Sequence, residues 1–170
     1  MEQLKTFAGK GIVNVVIETP KGSRNKYTYE PENGFYKLTK VVPAGTAFPF
    51  DFGFIPGTKA EDGDPLDAIV IVETECFPGC YMECRPIGIL EAEQKEKGEK
   101  KLRNDRVIVV PLESIDHSEI KDIEDMNQNL LNEVIQFFEY YNQMRGKKFK
   151  LLRTRGAEGA IKTIKKNMVK

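Results

Sequence analysis

The chain has 170 residues, of which 40% are hydrophobic and 31% charged. That composition fits one folded domain with a proper core and excludes disorder. Lysine plus arginine and aspartate plus glutamate both number 26, giving a net charge of zero; nothing global pulls the protein toward nucleic acid or a membrane surface.

No run is long and apolar enough for a membrane span, and Met1 to Phe7 lacks the apolar heart of a secretory signal, so the expected location is cytoplasmic. Gly11 to Thr19 is rich in β-branched residues and predicts a strand that ends at Glu18 beside Pro20. Lys21 to Lys26 is a basic loop. Tyr27 to Glu30 predicts a short strand, and Glu32-Asn33-Gly34 a hairpin turn into Phe35 to Val42. After a turn over Val42 to Thr46, the aromatic run Phe48 to Ile55 predicts a buried strand.

Next comes the most informative stretch, Glu61-Asp62-Gly63-Asp64-Pro65-Leu66-Asp67. Four carboxylates in seven residues repel one another unless water or a cation lies among their oxygens. Gly63 permits a backbone shape that other residues avoid, and Pro65 fixes its own φ. The stretch therefore predicts a loop that holds Asp62, Asp64 and Asp67 as an oxygen-ligand metal site. An EF-hand loop does not fit, because Leu66 and Asp67 stand where that loop needs an oxygen ligand and a glycine. A solvated Asp-Gly turn explains one aspartate but not three.

Ala68 to Val72 leads out as a buried strand. The cysteines Cys76, Cys80 and Cys84 match neither a zinc nor a redox spacing and read as small apolar residues around a Pro78-Gly79 turn. Met82 to Leu90 predicts a strand carrying Arg85. Glu91 to Asp105 predicts a long charged loop or hairpin tip, and Arg106 to Pro111 a short buried strand. The first two-thirds is thus a run of short strands, which suggests a barrel or curled sheet.

The period then changes. Leu130, Val134, Phe137 and Tyr141 recur at helical spacing, preceded by a short helix for which Asp116 or Ser118 would be the cap. Ala157, Ile161, Ile164 and Met168 mark a final helix. No linker or internal repeat divides residues 1–170, so a single domain is expected. The lone His117 carries no role.

The run Asp62-Gly-Asp-Pro-Leu-Asp67 resembles the signature of soluble family I inorganic pyrophosphatases. Ile17 to Pro20, Phe48 to Ile55, Cys84 to Gly88, Val107 to Pro111 and Phe137 to Tyr141 follow in that family's order. The resemblance implies an OB-like closed β-barrel, mainly β with α, flanked by two or three mostly C-terminal helices. It implies hydrolysis of pyrophosphate to two phosphates with Mg²⁺, Mn²⁺ being possible, and a homo-oligomer, a hexamer in the bacterial members. Hard cations suit carboxylate and water oxygens, and phosphoryl transfer needs little beyond position and charge.

The resemblance also implies residue roles. Asp62 and Asp67 would ligate metal, Asp64 would act on the nucleophilic water, and Glu18 would complete the acidic rim. Lys26, Lys40, Arg106 and Lys147 would hold phosphate oxygens, and Tyr141 would donate its hydroxyl. Several positions depart from the family. Lys40 stands for an arginine, Phe48 and Phe52 for tyrosines, Thr28 for a glutamate and Asn142 for a lysine. Asn104 stands for a metal-binding aspartate, with Asp105 next to it and Arg106 in place of a lysine. Asp105, or one of Glu93, Glu96 and Glu99, would then supply a missing ligand. The alternative function is a homologue that binds metal or phosphate without turnover. An OB-like nucleic-acid binder would need a basic groove with exposed aromatics, which this neutral chain lacks.

Overall fold

The computed structural model describes residues 4–169. Met1 to Gln3, part of the stretch read for a targeting signal, and Lys170 lie outside the described residues. The elements are β1 (Phe7–Gly9), β2 (Ile12–Thr19), β3 (Asn25–Glu30), β4 (Phe35–Val41), β5 (Asp51–Ile55), β6 (Leu66–Val70), β7 (Tyr81–Lys95), β8 (Leu102–Arg103) and β9 (Arg106–Pro111). A 3-10 turn (Ile123–Asp125) precedes α1 (Gln128–Met144), β10 (Lys148–Gly156) and α2 (Ala157–Lys166).

Strands β2, β5, β6, β9 and β7 pair in that order, and β7 pairs back onto β2, so the sheet closes into a five-strand barrel. All those pairs are antiparallel except β6 with β9. The expected OB-like barrel with helices on its outside is therefore present. Strands β3 and β4 form a separate hairpin beside it.

Alternation along the strands builds two apolar layers. Val13, Val15, Ile17, Ile55, Ala68, Val70, Cys84, Ile89, Val107 and Val109 come from all five barrel strands and fill the barrel, with Ala160 and Ile164 of α2 added to them. Phe52, Ile69, Ile87, Leu90, Ile108 and Val110 point the other way and meet Leu131, Val134, Phe137 and Phe138 of α1. The helical spacing seen in the sequence is the face of α1 that covers this layer.

The structure corrects several expectations. The run Phe48 to Phe50 is a bend, with Phe48 and Phe50 fully buried, and the strand begins at Asp51; Pro49 has no N–H to give a ladder. Of the loop and the hairpin tip expected over Glu91 to Asp105, the structure has the hairpin: β7 continues to Lys95, turns over residues 96–101 and pairs with β8 on one side, with β10 on the other. Strand β10 was not anticipated at all. The 3-10 turn is capped by Asp122, in a reciprocal capping box with Asp125, and not by Asp116 or Ser118. Helix α2 ends before Met168, which instead bridges to Thr58. Cys84 is buried and Cys76 and Cys80 half-buried, all three as free thiols, in line with the small apolar reading.

Candidate active site

Asp62 and Asp64 lie in the turn between β5 and β6, and Asp67 is the second residue of β6. The turn is tightly specified. Ala60 N–H donates to the Asp64 carbonyl at 2.7 Å, Gly63 N–H to the Ala60 carbonyl at 3.1 Å, and Asp64 N–H to Asp62 Oδ1 at 3.2 Å. Gly63 takes φ +94°, a left-handed shape that side-chain-bearing residues avoid. Buried Thr58 anchors the far end: its hydroxyl donates to the Ile55 carbonyl at 2.6 Å and accepts from Leu66 N–H at 2.9 Å. That contact is one the sequence reading missed.

Register brings the other groups alongside. Asp67 pairs with Arg106 across the parallel β6–β9 ladder, and Arg106 Nε lies 3.8 Å from Asp67 Oδ2. Glu18 sits at an irregularity of β2, where the pairing with β5 shifts between Ile17 and Thr19. Its carboxylate accepts from Tyr29 N–H at 2.7 Å. Gly53 makes this crossing possible, because a Cβ there would run into the Val16 carbonyl.

Burial pushes Glu18 up to about 7; Tyr29 N–H and Lys26 oppose this, and Asp67 and Asp64 add to it. Burial likewise pushes Asp67 up to about 6, against the pull of Arg106 and Lys26, with Asp62 and Asp64 adding to the rise. Asp67 nonetheless keeps 26% of its side-chain surface exposed. Asp62 is raised by burial and by Asp64. Among the described residues, no three acidic, histidine or cysteine side chains form a ready-made metal cage. The donors along this edge are all hard oxygens, and burial holds the proton affinities of Glu18, Asp62 and Asp67 above their ordinary values. That is the donor set a hard divalent cation fits.

Lys26 and Lys40 are paired residues of the β3–β4 hairpin. Lys26 Nζ lies 5.3 Å from the centre of the Phe52 ring, and Lys40 Nζ 5.8 Å from that of Tyr141. Burial and the neighbouring Arg145 and Lys147 lower the Lys40 pKa. Tyr141 is buried, and its hydroxyl has no hydrogen-bond partner. Burial raises its pKa against the pull of the nearby Arg145 and Arg106, whose guanidinium groups do not reach the hydroxyl in hydrogen-bond geometry, so it remains a neutral donor.

Other expected residues are engaged elsewhere. Asp105 is turned away: its carboxylate accepts from Arg103 at 2.9 and 3.2 Å and from Ala92 N–H at 3.1 Å. Asn104 is the residue that faces the acidic turn, donating to Asp62 Oδ2 at 3.4 Å and to Gln94 Oε1 at 3.2 Å. Lys147 is paired with Glu96, and Glu93 with Lys101 at 3.7 Å. Asn142 turns back into its own helix, donating to the Phe138 carbonyl at 2.8 Å. Thr28 Oγ1 lies 3.4 Å from Lys26 Nζ. Arg145, also missed, reaches the Tyr141 ring at 5.3 Å; its position four residues on, one helical turn, was the available signal.

The family model for inorganic pyrophosphatase matches residues 15–170. The chain belongs to the inorganic pyrophosphatase family. The inorganic pyrophosphatase of Sulfolobus acidocaldarius is 41% identical over 151 residues, covering 86% of this chain and 84% of that protein. That of Geobacillus stearothermophilus is 39% identical over 153 residues, covering 90% of each. The crystal structure of the Thermus thermophilus inorganic pyrophosphatase superposes with TM-score 0.86 at 34% identity, over 96% of this chain and 94% of that one. As a family I member, the chain places its acidic turn and its β3–β4 lysines on a shared scaffold.

Proposed function

We propose that this site hydrolyses inorganic pyrophosphate to two phosphates with a divalent cation, Mg²⁺ by preference and Mn²⁺ as a substitute. Membership of the family supports the reaction. The observation that carries the residue assignment is the sheet register, which sets Asp67 against Arg106 across β6–β9 at 3.8 Å, directly after the turn bearing Asp62 and Asp64, with Glu18 on β2 across the intervening β5.

Asp62 and Asp67 are the residues that would hold the cation, with Asn104 offering a neutral amide oxygen if its side chain turns over. When bound, the cation supplies charge compensation for the diphosphate and acidifies a nearby water. Asp64 takes the proton of the attacking water. Glu18 borders the acidic rim through water. Lys26, Lys40 and Arg106 hold phosphate oxygens, and Tyr141 gives them its free hydroxyl. Lys147 joins them by leaving Glu96. The lysine at position 40 keeps the charge but not the two-pronged grip of an arginine.

No helix among the described residues is long and apolar enough to cross a membrane. We place the protein in the cytoplasm, as a single domain spanning 1–170 and as a homo-oligomer, a hexamer. The exposed Phe35, Phe77 and Ile115 support association, and sedimentation would report its order.

The test is release of phosphate from pyrophosphate in Mg²⁺, in Mn²⁺ and in chelator. Release in either metal and none in chelator is the expected result. Binding of pyrophosphate without release in every metal would replace this reading with the non-catalytic one.

A further inference from the structure

Arg106 begins β9 and is buried. Burying a guanidinium removes five N–H donors from water, and that cost must be met by partners. Its hydrogen bonding is sparse. Nη1 donates to the Asn104 carbonyl at 2.8 Å, while Nε has no hydrogen-bond partner and only the long ion pair to Asp67.

What surrounds it is aromatic. The guanidinium carbon lies 4.2 Å from the centre of the Phe138 ring and 5.3 Å from that of Phe149. The two rings are 6.1 Å apart and inclined by 30°. A guanidinium is planar and weakly hydrated, so it stacks on ring faces where an ammonium would demand water. The same device recurs under the other cations: Lys26 rests on Phe52, while Lys40 and Arg145 rest on Tyr141.

We infer that Phe138 is a positioning residue for the reaction, its ring face holding the Arg106 guanidinium beside Asp67. This rests on the phosphate-binding role given to Arg106 above. Phe138 lies three residues before Tyr141 on α1, one helical turn away. One helix therefore carries both the free hydroxyl and the platform for the arginine.

The test replaces Phe138 with 4-fluoro-, 3,5-difluoro- and 3,4,5-trifluorophenylalanine, which weaken the negative ring face at nearly constant volume, and with leucine (Phe138→Leu). The readouts are KM and kcat for magnesium pyrophosphate, calorimetric affinity for imidodiphosphate, and the Arg106 Nε–H resonance. KM should rise stepwise with fluorination, by about 3- to 10-fold at the trifluoro residue, with kcat changing less. The Arg106 resonance should shift in step, and imidodiphosphate affinity should lose its dependence on fluorine in an Arg106→Met background. A wild-type protein that turns over pyrophosphate while KM and resonance stay flat across the series would overturn the inference. Wild-type protein with no turnover, but an Arg106 resonance that tracks the series, would instead overturn the hydrolytic reading and leave the anchoring in place.

Discussion

Replacing Tyr141 with phenylalanine should raise stability and lower activity together. The ring contacts survive the change: Phe48 and Phe137, each with its centroid 5.7 Å away, and the Lys40 and Arg145 cations over its face. Only the hydroxyl is lost, and that hydroxyl is buried without a hydrogen-bond partner from the protein. A buried, unsatisfied polar group costs about 1–3 kcal/mol, so the variant should gain about 1–2 kcal/mol. For a chain of this length that is a rise in Tm of about 2–8 °C. A hydrogen bond to a charged phosphate contributes about 1.5–3 kcal/mol, so kcat/KM should fall by about 10- to 150-fold. Thermal melts without ligand and initial-rate assays measure both. A Tyr141→Phe protein that melts lower and turns over normally would show that the hydroxyl serves the fold, and the reasoning would fail.

Gly53→Ala places a Cβ against the Val16 carbonyl, with the Val16 carbon at 2.9 Å and Ile17 Cα at 3.0 Å. Both are backbone, so β2 and β5 must separate, and the loss should be about 1–3 kcal/mol or more by thermal melt. Glu91 accepts from Arg153 at 2.7 Å, Arg155 at 2.9 Å and Arg103 at 3.0 Å. Although burial favours its neutral form, the arginines outweigh burial and hold it at about 2, below the ordinary 4.5. Its contribution is therefore present above about 4.5 and is lost as pH falls toward 2. Glu91→Gln should lower Tm at neutral pH and flatten the fall in stability across that acid window; an unchanged acid profile would refute the assignment.

Much of the fold was legible because burial follows period. The β-branched run before Glu18, the strand after Asp67 and the helical spacing of Val134, Phe137 and Tyr141 each describe one buried face. Strand β10 was missed although Lys148-Phe149-Lys150-Leu151 alternates, because a strand so rich in charge gives no buried face to read; two of those charges, Arg153 and Arg155, are spent on Glu91. The same pairing hid the extent of β7. At the site, the acidic turn was plain from its residue types. The fate of Asp105 was not: besides Arg103 two residues back, it accepts from Ala92 N–H thirteen residues away, a contact no local pattern encodes. The phenylalanines in place of tyrosines looked like simple losses, but Phe52 lies beneath Lys26.

The most direct test compares phosphate release by wild-type protein and Asp67→Asn in a single turnover of magnesium pyrophosphate. The variant keeps the shape of the side chain and removes its charge. Release by the wild type and none by a folded variant is the predicted result. Equal release by both would mean that the acidic turn is not where pyrophosphate is split.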